Sequence, residues 1–506
     1  MTSTDESPNS RPADVVSTAS AKRCRNRSLG IGILACPGTA LLVGVLVRLL
    51  GLGSKSLWLD EILSVRTAQA DFAQFVSGAI ERYHPPLYFV LLAKWMDLGD
   101  SPAHLRLLSV ICGIAAVGLT AVLARALFGS DVATSAAWLA ATSPLLVWYS
   151  QEVRDYSLLL AFVLLGQVGM TCMLLEPRSH WWLLFVVGTA GGLYTHYVAV
   201  VALFLQLFLA VGLVAARRAL HRSLGLVLLG WVAAAVAFLP WLRTPAAQAF
   251  LERLSSDRFY VDILTVGQGY LPESVMGFVE GRATRLMLCA GLLAVVLLGL
   301  AVILLTRLLR RHEDWLVKAR DLKAMRAALI CAYLVLLVLS VIPRGYTVKR
   351  YSLVLWPTVL IVYAWVWPWL RRNKTILGCA VALSLLASLL NVLLIPRAQW
   401  DRAVKLVLSQ QQQNDVVVLS PAYMTLTFGY YAEDRIPMAV VRGSDVSSVD
   451  ATLAELVAHY DRVWFVSHTT DVGRHQAAIG QWLEENTRCL SEMRLYRIDV
   501  QLCHVD

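Results

Sequence analysis

The sequence predicts an all-α polytopic membrane protein of about eleven transmembrane helices. It adds interfacial helices in the first external loop and a small α/β extracytoplasmic domain at the C-terminal end. Three observations lead there. The 506 residues are 57% hydrophobic and 16% charged, whereas soluble domains are about half apolar and about a quarter charged. Apolar runs of membrane-crossing length recur along the chain. After residue 396 those runs give way to strand-like and amphipathic segments.

The N-terminus, "MTSTDESPNSRPADVVSTAS", is rich in Ser, Thr and Pro and is followed by the basic "AKRCRNRS". Residues 1–28 therefore read as a disordered, basic cytoplasmic segment. No small-residue cleavage site closes a short apolar core, so the next run is expected to be an uncleaved first span. Spans are expected near 29–52, 105–128, 132–149, 157–175, 181–195, 197–215, 223–242, 285–306, 327–343, 352–370 and 375–395. Together residues 29–395 form the transmembrane domain, with a first external loop at 53–104.

The run "PPLYFVLLAKWMDLG", 85–99, is too short to cross and carries Lys94 and Asp97. It reads as a helix lying in the interface. Charge supports this choice. With the N-terminus inside and 85–99 not spanning, the basic residues at 22–27, Arg125, Arg178, Arg217, Arg218, Arg222, the run from Arg307 to Arg326, and Arg371, Arg372 and Lys374 all fall on the cytoplasmic side. A spanning 85–99 would invert every later loop. The net charge of +10 thus reports topology and not nucleic-acid binding.

Beyond residue 396, "DVVVLS" and "RVWFVSH" read as buried strands. "RAVKLVLSQ", "TLAELVAHY" and "QAAIGQWLEE" read as amphipathic helices. Their alternation predicts a small α/β unit over 396–506. Most of the nine cysteines lie in or beside apolar runs, as small buried hydrophobes do. Cys489 and Cys503 lie in the polar tail, where free thiols or, in an exported domain, a disulfide are both open.

The topology gathers sparse polar groups at one face. Beside the adjacent acids Asp60 and Glu61 of "SKSLWLDEILSV" stand His84, Arg106, Glu152, Arg154, Tyr156, His196, Lys349, Arg350 and Tyr351. Ionisable groups at span ends are costly unless solvated or paired, and they mark function. Each has an ordinary alternative. Asp60 and Glu61 also suit the N-terminus of a following helix, Glu152 and Arg154 suit a local pair, and Lys349 and Arg350 suit interface anchoring. Their convergence suggests chemistry: a carboxylate takes a proton from an attacking hydroxyl, while Arg and Lys hold a leaving phosphate. At interface height that phosphate belongs to a lipid. The chain has no Walker A or Gly-rich strand–helix turn, so an already activated donor is required.

In combination, "SLWLDE", "HPPLYFVLLAKW", "LRLLSVICG", "SPLLVWYSQEVRDYSLLLAF" and "KRYSLVLWP" resemble the bacterial glycosyltransferase family 39-type proteins. These belong to the GT-C superfamily of polyprenyl-phosphate-sugar-dependent transferases and are related to protein O-mannosyltransferases and lipid A aminoarabinose transferases. The resemblance runs over roughly residues 40–400. It implies that Asp60 is the catalytic base, with Glu61 a supporting or alternative acid. It implies that His84 opens an interfacial helix lining the site, and that Arg106 sits where the chain enters the second span. Glu152, Arg154 and Tyr156 would face the carboxylates, and Lys349, Arg350 and Tyr351 would grip the lipid phosphate. It further implies a hexosyl- or pentosyltransferase with inverting stereochemistry.

The expected function is transfer of a sugar from a polyprenyl-phosphate donor to an extracytoplasmic acceptor, be it glycan, lipid or protein, at the bacterial plasma membrane. The alternative is a transporter or flippase of polyprenyl-linked glycans. That alternative is disfavoured because the polar groups gather at one face and no internal repeat is visible. No cofactor is expected to be required. A divalent metal serves some GT-C members, but the sequence shows no compact ligand cluster and no metal residues are assigned. Nucleic acid is not an expected partner.

Overall fold

The computed structural model describes residues 36–78, 84–175, 178–216, 221–255, 352–366, 373–441, 446–469 and 474–505. The N-terminal segment, the spans expected at 285–306 and 327–343, and the candidate residues Lys349, Arg350 and Tyr351 lie outside them.

The membrane part begins with α1 (Pro37–Leu49). The segment after it carries α2 (Leu59–Gln69), α3 (Phe72–Val76) and α4 (Leu87–Met96). Then follow α5 (Pro102–Phe128), α6 (Ser130–Thr142), α7 (Pro144–Ser150), α8 (Tyr156–Leu175), α9 (Ser179–Thr195), α10 (Ala199–Ala216), α11 (His221–Leu242) and α12 (Pro245–Ser255). A 3₁₀ turn at Ser352–Leu355 leads into α13 (Trp356–Val366), and α14 (Lys374–Leu394) closes this part. Among the described residues, four helices are long and apolar enough to cross a membrane: α5, α8, Leu224–Leu242 of α11, and α14. Helix α4, ten residues long, extends only about 15 Å and cannot cross a hydrocarbon core of about 30 Å.

The continuous span expected at 132–149 is broken. Ser143 is extended, with φ −62° and ψ 120°, and Pro144 starts a new helix. Proline has no N–H to continue the ladder and its ring collides with the carbonyl four residues back. A break leaves carbonyls without helical partners, and these must be matched inside a membrane protein. Here the side chains of other helices do it. Ser384 and Ser388 of α14 donate to the Thr142 carbonyl at 2.8 and 2.7 Å. The fully buried Arg48 of α1 donates to the Ala141 carbonyl at 2.8 Å.

Helices α8 and α9 are antiparallel neighbours joined by a short connection, and glycine sets their distance. A Cβ added to Gly188 would lie 2.2 Å from the Gly166 nitrogen, and one added to Gly169 would lie 2.4 Å from the Phe185 nitrogen. Small residues let membrane helices meet backbone to backbone. This contact fixes the start of α8, with Asp155 just before it, against the end of α9, with His196 just after it.

After α14 comes α15 (Trp400–Gln410), then β1 (Asp415–Ser420), α16 (Met424–Ala432), β2 (Met438–Ala439), α17 (Val446–Val457), β3 (Arg462–His468), α18 (Arg474–Asn486), β4 (Arg488–Leu495) and β5 (Ile498–His504). The sheet order is β2-β1-β3-β5-β4. β1 pairs in parallel with β2 and β3, and β5 pairs antiparallel with β3 and β4. Strands β1 and β3 read as continuous apolar runs because helices cover both faces. Asp415 is buried at the start of β1, where Arg462 donates to it at 2.8 and 2.6 Å and Trp464 at 2.9 Å. Cys489 and Cys503 face each other across β4 and β5 and are joined as a disulfide.

The glycine contact is testable. Gly188→Ala should destabilise the protein by about 1–3 kcal/mol through overpacking, whereas Gly225→Ala, where an added methyl meets nothing within 4 Å, should not. Thermal unfolding in detergent reads the difference.

Candidate active site

Asp60 and Glu61 are neighbours in sequence but not in role, because successive helical residues point about 100° apart. Both lie in the first turn of α2, where acids suit the helix dipole. Glu61 turns inward and is fully buried. Arg106 of α5 grips it side-on, its Nε and Nη2 donating to the two carboxylate oxygens at 2.8 Å each. Arg397 adds an Nη1 donor at 2.7 Å. The Val153 and Trp58 backbone N–H groups donate at 3.0 and 3.3 Å.

The remaining donors of Arg106 tie down the loop before α2. They reach the carbonyls of Leu52 at 2.8 Å, Lys55 at 2.9 Å and Ser56 at 3.0 Å. Arg397 meanwhile reaches Glu152 at 3.2 Å and lies over the Trp148 ring, 5.2 Å from its centroid. Burial alone would raise the Glu61 pKa. Arg397 and Arg106 outweigh it and hold the carboxyl down to about 2, against an ordinary 4.5. Burial, and then the repulsion of Arg397 and Arg106, lower Lys55 to about 8. Arg397 was not among the residues singled out from the sequence. It follows the last span directly and reads there as one more interface cation.

Asp60 is only half-buried and faces a second group. Arg154, in the short loop before α8, is buried within electrostatic reach of Asp60 and Asp155. Its Nη1 donates to Ser64 Oγ at 3.3 Å, and its Nη2 donates to the Tyr156 hydroxyl at 3.4 Å. His84, at the lead-in to α4, and His196, after α9, lie 4.8 Å apart between ring centroids, tilted by 43°. Tyr156 lies 6.1 Å from His196. Donor atoms of His84, Asp155 and His196 all lie within 4.8 Å of one another. The sequence reading included His84 and His196 but passed over Asp155, which stands between the chosen Arg154 and Tyr156.

The candidate residues thus fall into two adjoining sets. Glu61, Arg106 and Glu152 meet in the ion-pair network. Asp60, Arg154, Tyr156, His84 and His196 gather around Asp155. A cavity of about 350 Å³ opens beside the first set, lined by Trp58, Trp148, Glu152 and Arg397 and, from the C-terminal domain, by Tyr423 and His468. The C-terminal domain grips the same loop. Ser56 hydrogen-bonds to Asp401, and the Tyr431 hydroxyl accepts from Leu57 N–H at 2.7 Å. Lys55 Nζ donates to the Ile395 carbonyl at 2.7 Å.

An antiparallel bundle with loop helices and a terminal α/β unit has solved counterparts. The chain matches the oligosaccharyltransferase of Archaeoglobus fulgidus crystallised with zinc and sulfate, at 12% identity and a TM-score of 0.50, over 85% of this chain and 68% of that one. The same archaeal enzyme tethered to an acceptor peptide matches at 12% identity and a TM-score of 0.50, over 92% of this chain and 73% of that one. The chain has the GT-C fold. Residues 83–243 match the family described as dolichyl-phosphate-mannose-protein mannosyltransferase. ArnT from Cupriavidus metallidurans is also similar, at 14% identity and a TM-score of 0.48, over 92% of this chain and 97% of that one. No curated protein matches the chain.

The two carboxylates should separate in experiment. Glu61→Ala strands Arg106 and should cost about 3–5 kcal/mol, while Asp60→Ala should leave the unfolding temperature nearly unchanged. Because the folded Glu61 pKa is depressed, its contribution is complete above about pH 4.5 and is lost as pH falls through about 2. Thermal unfolding of wild type should therefore fall steeply across that window, and that of Glu61→Gln should be flatter.

Proposed function

We propose that this GT-C protein is an integral membrane glycosyltransferase. It moves a sugar from a polyprenyl-phosphate donor to an acceptor hydroxyl or other nucleophile on the extracytoplasmic side of a bacterial plasma membrane. The observation that carries the reading is Asp60, half-exposed beside the buried Arg154 at the ends of the spans, in a chain whose residues 83–243 match a dolichyl-phosphate-mannose-dependent transferase family.

The chemistry follows from those groups. The acceptor oxygen attacks the anomeric carbon as the bond from that carbon to the phosphate oxygen breaks. The bonding electrons leave with the lipid phosphate, and the acceptor proton passes to Asp60. Arg154, with Lys349 and Arg350 from the stretch "KRYSLVLWP", stabilises the departing phosphate. Glu61 takes no proton in this scheme. It holds the loop that presents Asp60, because a carboxylate already paired with two guanidiniums is a poor base at neutral pH. The cavity beside Trp148 gives an acceptor room to approach between the membrane part and the C-terminal domain. Clustering of basic residues in the opposite loops and the disulfide of the C-terminal domain both support an outward-facing site.

Purified protein offered polyprenyl-phosphate mannose or arabinose with envelope glycan acceptors should release the lipid phosphate and form product. Asp60→Ala should lower turnover at least about 100-fold while still binding lipid phosphate. Equal turnover of the two proteins would remove Asp60 as the base, and an inert wild type would remove the transferase reading. Single cysteines placed at 60 and 152 should react with impermeant reagents from outside the cell and not from the cytoplasm.

A further inference from the structure

We infer that Asp155, with His196 and His84, forms a recognition site for a hydroxyl of the transferred sugar. The inference rests on the transferase reading and adds to it a contact that selects the substrate. Asp155 is 2% exposed, and neither of its carboxylate oxygens accepts a hydrogen bond from the described residues. A buried acceptor left unmatched costs about 1–3 kcal/mol, and more when charged. Such a group is matched by a donor that arrives with a ligand.

Two guests suit two imidazoles and a carboxylate: a metal ion and a hydroxyl. The donor atoms of all three residues lie within 4.8 Å of one another, close enough for either guest to touch more than one of them.

Proton placement separates the two. The Val198 N–H donates to His196 Nδ1 at 3.0 Å. A neutral His196 therefore carries its proton on Nε2. That atom offers a donor, where a metal would need a lone pair. Asp155 offers acceptors alone. A sugar hydroxyl supplies both complements, giving its hydrogen to Asp155 and accepting from His196 Nε2. The His84 ring, 4.8 Å from that of His196, walls the site. Arg154 lies within electrostatic reach of both Asp60 and Asp155, so the hydroxyl site and the proposed base share one guanidinium. A site built to hydrogen-bond a hydroxyl rejects the analogue that lacks it.

The full chain in detergent is titrated with farnesyl phosphate and with the same lipid phosphate carrying mannose or arabinose, following tryptophan fluorescence. Wild type should bind the better sugar-bearing probe at least about tenfold more tightly than farnesyl phosphate. Asp155→Asn and His196→Gln should erase most of that increment and leave farnesyl phosphate affinity as in wild type. Full retention of the increment in both variants overturns the site. Should either variant misfold, wild type alone decides with monodeoxy forms of the better probe. One deoxy position should lose about tenfold, and equal affinity for all of them overturns the site. Wild type that fails to bind farnesyl phosphate overturns the transferase reading and the site with it. Zinc uptake at one ion per chain that Asp155→Asn abolishes overturns the hydroxyl assignment in favour of a metal.

Discussion

Everything near the candidate site hangs on one buried carboxylate. Glu61 would be strongly disfavoured where it sits were it not for Arg106 and Arg397. Arg106 in turn needs Glu61, and its spare donors then fix three carbonyls of the loop before α2. Arg397 carries the pairing on to Glu152 and so to the loop before α8. The loop before α2, helix α5 and the linker to the C-terminal domain are thereby held to one charge. Asp60 inherits its position from this arrangement without taking part in it.

The arrangement also divides labour between two acids that look alike. Glu61 is fully buried and doubly paired, and Asp60, one residue earlier, is half-exposed. Around Arg154 the same division recurs. Glu152 is engaged by Arg397, while Asp155, three residues on, is buried with no donor from the described residues. In each loop one carboxylate is held by guanidinium groups of the scaffold and the other stands outside that network.

Much of this was legible from composition and charge. The long apolar helices announce themselves by length, and the shortness of 85–99 foretells a helix that cannot cross. Position along the chain also drew attention to "LWLDE" and "YSQEVRDY". What could not be read was phase and reach. Which of Asp60 and Glu61 turns inward depends on where α2 begins, and an N-terminal boundary uncertain by one residue rotates the choice by about 100°. Asp155 gains its meaning from His196, which glycine contacts between α8 and α9 bring beside it. Arg397 has no local signature, because its partners Glu61 and Glu152 lie 336 and 245 residues away. The break at Pro144 was written in the sequence, but the apolar run around it hid a structural stop inside a hydrophobic signal.

The distance from Glu61 to Arg397 has a consequence for how the protein is made. At about 5–20 residues per second, the 336 residues between them take on the order of half a minute to synthesise. Throughout that interval Glu61 is already made while its second guanidinium is not. The loop can therefore reach its final form only once the last helix has been inserted and the chain has emerged beyond it. A truncated or stalled chain would display Asp60 without the clamp that aims it.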